Sequence, residues 1–205
     1  STELCANKDI RQEVRIVTHQ KKKAMLFDVV HSRPYDKILI FAGTKRMVSS
    51  ICRDLLQSNV RAVESHGGLS QTKRERALQL FQGKTNVMVA TDVAARGLDV
   101  KNISLVLNFD FPQTVEDYVH RIGRTGRSGT KGEAITFFTE NDSPFARDLV
   151  KVLIQANQEV PIGLKDIANR SKKDSVSFRD ASASRPKTFN RLSVSADWKK
   201  AARVR

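Results

Sequence analysis

Along the chain, two kinds of hydrophobic pattern take turns. Residues 37–41 (K-I-L-I-F), 86–90 (N-V-M-V-A), 104–109 (S-L-V-L-N-F) and 133–138 are short, nearly continuous apolar runs, the pattern of strands covered on both faces. Residues 13–18, with Val14 and Ile16, and residues 61–64 read as shorter strands. Between them, apolar residues recur at helical spacing: Met25, Leu26, Val29 and Val30 over 21–32; Val48, Ile51, Leu55 and Leu56 after Thr44; Leu78 and Phe81 over 70–82; Val115, Tyr118, Val119 and Ile122 after Thr114. Ser143-Pro144 opens a last helix with Phe145, Leu149, Val152 and Ala156 facing inward. Strands alternating with helices imply βαβ units, so an α/β fold with a mainly parallel sheet is predicted.

The helix after Thr114 leads into the most informative stretch, residues 120–129 (H-R-I-G-R-T-G-R-S-G), where Arg121, Arg124 and Arg127 alternate with Gly123, Gly126 and Gly129. Thr114 is placed to cap the helix, and Asp117, three residues on, to return a capping-box bond at the positive end of the dipole. Glycine costs about 1 kcal/mol relative to Ala inside a helix, so three in succession end it near Ile122 or Gly123. Arg124 and Arg127 then sit on a turn that can approach a ligand closely, each offering a planar charged fork suited to phosphate oxygens.

In a parallel sheet, ligands gather where strands end at their C-terminal edge. Gly43, Thr44 and Lys45 follow one predicted strand, His66, Gly67 and Gly68 another, and T-D-V-A-A-R-G-L-D, residues 91–99, a third. Singly, Thr and Gly are ordinary turn and cap residues. Together on one edge they mark a binding face, and the reading requires Arg124 and Arg127 to lie clear of the core and toward that edge.

Composition narrows the ligand. The 205 residues carry a net charge of +14, of which residues 170–205 hold +8. A basic excess of this size points to a polyanion, nucleic acid first. Cys5 and Cys52 stand alone, which indicates neither a disulfide framework nor a zinc site and suits a reducing, intracellular compartment; nuclear, cytoplasmic and organellar locations are not distinguished. No run of 18 apolar residues exists and the first residues lack a signal-peptide core, so no membrane partner is expected. Because the chain begins with Ser, a fragment is expected.

Residues 120–129 resemble the sixth motif of superfamily 2 helicases in its DEAD-box RNA helicase form. Residues 38–45 resemble the fourth motif, Gln71 and Arg74 a Q-x-x-R element, residues 90–99 the fifth motif, and residues 108–112 the N-x-D-x-P stretch after it. The resemblance spans roughly residues 10–160 in family order. It implies a RecA-like three-layer sandwich over residues 1–169, the P-loop NTPase-like C-terminal lobe of the enzyme. By this resemblance Arg124 and Arg127 reach across a cleft to the γ-phosphate of ATP on a partner lobe, and His120 joins the network between lobes. Asp99 and Gly97 approach the nucleotide, and Thr44, Gly67, Arg74, Thr91 and Arg96 track the backbone of single-stranded RNA. Gly68 stands where many members carry an acidic residue.

Backbone contacts of that kind bind RNA without reading bases and weaken with salt. Gly83-Lys84-Thr85 is not a phosphate loop: position 78 is Leu where the pattern needs its first glycine, and the triplet leads into a strand, so it reads as a helix end. With no acidic tetrad either, the fragment alone is expected to be inactive, with ATP and Mg²⁺ held by an N-terminal RecA-like lobe. Closure of the two lobes on ATP and RNA would bend the strand and disrupt a short duplex or an RNA–protein contact. A non-catalytic RNA- or protein-binding clamp and a DNA-acting translocase lobe are the alternatives. The basic, low-complexity tail over 170–205 reads either as an arm with no core of its own that adds RNA affinity, or as a segment docked in a larger ribonucleoprotein assembly.

Overall fold

The computed structural model describes residues 8–96, 100–127 and 130–170, and the structural statements here concern these. The tail after residue 170, Cys5, Gly97, Asp99 and Gly129 lie outside the described residues.

Six strands form one sheet: β1 (Ile10–Ile16), β2 (Ile38–Phe41), β3 (Ala62–Ser65), β4 (Val87–Ala90), β5 (Leu105–Asn108) and β6 (Gly132–Phe138). Every pairing is parallel and the spatial order is β1-β6-β5-β2-β4-β3. The continuous apolar runs are explained by two cores, one on each face. On one face Ile38, Ile40, Val87, Val89, Leu105, Leu107, Ile135 and Phe137 meet helices α1 (Lys22–His31) and α2 (Lys45–Gln57). On the other, Leu39, Phe41, Met88, Ala90, Val106, Ala134 and Phe138 meet α3 (Gln71–Gly83), α5 (Val115–Ile122) and α6 (Ala146–Gln155). The single turn α4 (Asp92–Ala95) follows β4. The order doubles back at β2: β3 and β4 lie on one side of it, β5 and β6 on the other, which opens a crevice over its C-terminal end.

The α/β expectation is met, with differences at element ends. β1 starts three residues before the expected strand, because Gln12, a polar residue, is buried in the inward row with Ile10 and Val14. Leu56 is 64% exposed, so the buried stripe of α2 is Val48, Ile51 and Leu55. Ser143-Pro144 lies inside a 3-10 helix, Glu140–Phe145, capped by Thr139 and Asp142, and α6 begins only after it. A further helix over 162–170, not anticipated, buries Leu164, Ile167 and Ala168. Gly83 ends α3, where the main-chain N–H of Lys84 reaches back to the Leu80 carbonyl, as the rejected phosphate loop implied. Cys52 is a packed thiol; burial first, then the Glu64 carboxylate, push it up to about 12.

Gly126 anchors the segment after α5. It has φ +64°, and a Cβ there would stand 2.7 Å from Ile10 Cγ1. Gly126→Ala is therefore expected to destabilise the chain by about 1–3 kcal/mol from backbone strain alone, with the clash in addition. Denaturant unfolding should show a lower midpoint at unchanged slope; an unchanged midpoint would mean that the segment relaxes freely.

Candidate functional site

Helix α5 carries the site. Thr114 caps it as expected, its hydroxyl oxygen accepting the Asp117 N–H at 3.0 Å. The return bond differs from a capping box: it comes from the Thr114 hydroxyl, which donates to the Asp117 carboxylate at 2.8 Å. The helix stops at Ile122 with Gly123 as its cap.

Arg121, first of the three arginines, is not a surface cation. Its side chain is 3% exposed. Nε and Nη2 donate to the two carboxylate oxygens of Asp92, at 2.6 and 2.7 Å. Nη1 donates to Asn108 Oδ1 at 3.2 Å and to the Asp110 carbonyl at 2.7 Å. The guanidinium carbon lies 4.9 Å from the centre of the Phe41 ring. One group thus joins the C-terminal ends of β2, β4 and β5. Asp110 extends the junction: its carboxylate accepts from the buried Lys22 Nζ at 2.7 Å and from the Gly43 N–H at 2.9 Å. A Cβ at Gly43 would touch that carboxylate at 3.4 Å, so the turn after β2 sits close against it.

Outward from this junction, Phe41, Asp92, Ala95, Arg96, Thr114, Glu116, Asp117, His120, Arg121 and Arg124 line an open cleft of about 580 Å³ between α4 and α5. His120 and Arg96 are exposed and Arg124 half-buried. The Arg124 side chain makes no hydrogen bond or ion pair among the described residues. Burial, and then the like charge of Arg127, hold its guanidinium below the usual value. Arg127 is exposed, and its Nε donates to the Gly123 carbonyl at 3.0 Å, closing the C-terminal end of α5.

Both arginines are free of the core, but one expectation needs correction. The backbone beside them is anchored at the opposite, N-terminal edge of the sheet: Thr125 donates to the Ile103 carbonyl just before β5, and Gly126 packs on Ile10 at the start of β1. The helix runs away from the strand ends, so the required placement toward that edge holds only through the cleft, which follows the helix's outer flank from Thr114 and is lined by Phe41, Asp92 and Arg96 at one end and by Arg124 at the other.

Of the other singled-out residues, Thr44, Gly67 and Thr91 sit at strand ends. Thr44 is exposed and caps α2, accepting the Met47 N–H at 3.1 Å. Gly67 is exposed after β3, with open space where a side chain would go. Thr91 precedes α4, half-buried, and its N–H donates to the Ser65 carbonyl at 3.1 Å. Arg74, in the first turn of α3, donates to Gln71 Oε1 at 2.8 Å, while its buried Nε has no partner among the described residues. Since β3, β4 and β2 are consecutive in the sheet, Gly67, Thr91 and Thr44 fall on three adjacent strand ends. The Gly68 N–H donates to His66 Nδ1 at 3.1 Å, and a Cβ at 68 would press on that ring at 3.1 Å. An acidic side chain there would require the buried His66 to shift.

Sequence reasoning missed Lys22 and the inward role of Arg121. The available signal for Arg121 was its place one turn beyond Tyr118, on the flank of the apolar stripe. For Lys22 there was none, since it begins a helix amid three consecutive lysines.

Comparison with known proteins agrees with this geometry. The model of the helicase conserved C-terminal domain matches residues 21–129. DEAD-box ATP-dependent RNA helicase 14 of Arabidopsis thaliana is 49% identical over 170 residues, covering 82% of this chain and 27% of that protein. Prp28, an RNA helicase from Chaetomium thermophilum solved bound to ADP, superposes with a TM-score of 0.69 at 36% identity, over 75% of this chain and 39% of that one. The C-terminal domain of the DEAD-box protein Dbp5 superposes with a TM-score of 0.64 at 29% identity, over 70% of this chain and 85% of that one. The chain spans about a quarter of the length of the curated relatives it matches. A parallel six-stranded sheet, the motif order and these similarities lead to one conclusion: the chain belongs to the helicase conserved C-terminal domain family, as the RecA-like C-terminal domain of a DEAD-box protein.

Proposed function

We propose that this chain is the C-terminal lobe of an ATP-dependent RNA helicase, supplying Arg124 and Arg127 to the phosphates of ATP held on an N-terminal lobe and presenting half of an RNA-backbone track. The observation that carries the reading is Arg124: half-buried in a cleft, close to a second arginine and without an anionic partner among the described residues. A guanidinium in that setting gains from an incoming phosphate, and the desolvation it already bears makes the pairing stronger than it would be in open water. The residues therefore fit a triphosphate. ATP, with Mg²⁺ on the other lobe, would supply the phosphoryl group. Arg124 and Arg127 would stabilise charge on its oxygens, and His120, exposed on the same cleft, would contact the facing lobe. Gly97 and Asp99, assigned to the nucleotide by family resemblance, lie outside the described residues.

Thr44, Gly67, Arg74, Thr91 and Arg96 form the proposed RNA track. A cap hydroxyl, glycine backbone and arginines hold phosphates without distinguishing bases, which suits sequence-tolerant binding and local opening of a short duplex or ribonucleoprotein contact. The relatives' names, ATP-dependent RNA helicases, support the same substrates.

In a protein that joins this lobe to its nucleotide-binding partner, Arg127→Ala should lower RNA-stimulated ATP turnover by about 10³ or more. Steady-state ATPase assays check this, and near-normal turnover would overturn the assignment of Arg127 to the ATP phosphates. Arg74→Ala should leave turnover at saturating RNA largely intact but weaken RNA binding, reducing the slope of log affinity against log salt by about 1. Fluorescence anisotropy across a salt series measures that slope, and an unchanged slope would remove Arg74 from the track.

A further inference from the structure

On the sheet face that carries α5, three strands place a polar side chain in an inward row: Gln12 on β1, Thr136 on β6 and Asn108 on β5. Asn108 and Thr136 are direct partners in the parallel register, and Val14, two residues after Gln12, is the partner of Thr136. Asn108 and Thr136 are 0% exposed and Gln12 is 3% exposed. Polar groups so deep destabilise by about 1–3 kcal/mol each unless they are hydrogen-bonded, so what they bond is informative.

They bond two side chains of α5. Arg121 Nη1 donates to Asn108 Oδ1 at 3.2 Å, and Asn108 Nδ2 donates to Thr136 Oγ1 at 3.0 Å. The fully buried Tyr118 donates its phenol hydrogen to Gln12 Oε1 at 2.8 Å. From Arg121 to Thr136 each donor points away from the cation, an arrangement in which successive bonds polarise one another. Tyr118 and Arg121 are one helical turn apart on the same flank. The circuit has two arms: one leaves α5 at Arg121 and crosses β5 to β6, and the other leaves it at Tyr118 and ends on β1. Among the described residues the buried Gln12 Nε2 has no partner, so the carboxamide is oriented by Tyr118 at the expense of its own donor.

We propose that Asn108, Thr136 and Tyr118 are positioning residues: their hydrogen-bond circuit fixes the rotation of α5 that keeps Arg121 on Asp92 and Arg124 in the cleft. The inference rests on the functional reading of Arg124 given above. None of the three touches a ligand, and they set how fast the phosphoryl group transfers while leaving RNA affinity to the strand-end residues.

Thr136→Val removes the hydroxyl at nearly constant volume and takes away the acceptor that holds Asn108, and Thr136→Ser restores the hydroxyl. In the two-lobed protein, Thr136→Val should lower kcat of the RNA-stimulated ATPase by about tenfold to a hundredfold, the effect of a small misplacement of a catalytic group. The KM for ATP and the affinity for RNA should stay within about threefold, and Thr136→Ser should recover most of the rate. Leu153→Ala, a core change in α6 away from the circuit, is the control for stability loss alone and should keep wild-type kcat wherever it is folded. A second measurement stands apart from activity. In the 205-residue chain, hydrogen exchange at the Arg121 Nε–H should speed up by about tenfold in Thr136→Val and Tyr118→Phe and return in Thr136→Ser.

Unchanged protection of Arg121 in both variants, a failure of serine to rescue, or an equal loss of kcat in Leu153→Ala would overturn the proposal. If the wild-type two-lobed protein shows no RNA-stimulated turnover, the functional reading fails and the exchange measurement still decides the circuit. If it turns over, Arg124→Ala abolishes that turnover and Thr136→Val does not lower it, the positioning inference alone fails.

Discussion

The paired bonds between Arg121 and Asp92 are the constraint on which the site depends. Four donors of a single guanidinium meet a carboxylate, a carboxamide and a main-chain carbonyl contributed by the ends of β4 and β5, while its face covers Phe41 at the end of β2. A charge this deep is unfavourable unless all its donors are used, and removing one partner of such a pair commonly destabilises by about 3–5 kcal/mol. Asp92 is about one-third exposed, 35% by side chain, which places this pair toward the lower end. What the pair provides beyond stability is placement, because it ties α4 to α5 and so defines both walls of the cleft.

A second pair beside it balances the charge. Lys22, at the start of α1, and Asp110, after β5, meet at 2.7 Å, and the other Asp110 oxygen holds the Gly43 N–H. Two buried cations and two carboxylates thus sit over the point where the strand order doubles back. Because they satisfy one another, Arg124 and Arg127 remain uncompensated on the outside. Two nearby carboxylates pair with Arg121 and Lys22, so a cleft lined partly by Asp92, Glu116 and Asp117 still presents a cationic end, where the proposed phosphate would bind.

Much of this was legible from residues alone. The continuous apolar runs of β2, β4 and β5 needed cover on both faces, and the two cores supply it. The cap at Thr114 and the stop at Gly123 followed from local chemistry, since a hydroxyl accepting an N–H and a glycine-rich stop act within one turn. What escaped depends on tertiary neighbours. Arg121, Arg124 and Arg127 have identical spacing, yet one is buried and two are not, because only position 121 falls over the ends of β2 and β5. Gln12 looked like a strand boundary and is instead an acceptor for Tyr118. The far anchoring of Thr125 and Gly126 followed from where β1 and β6 begin, which no spacing within the motif encodes.

The central claim is that this lobe prepares an arginine for an anion it does not itself hold. The most direct measurement is a crystal structure of the two-lobed protein closed on RNA and a non-hydrolysable ATP analogue. The account predicts the Arg124 guanidinium within about 3 Å of a terminal phosphate oxygen, with Arg121 still on Asp92. A closed complex in which Arg124 turns to a carboxylate of its own lobe, leaving the γ-phosphate to other residues, would contradict it.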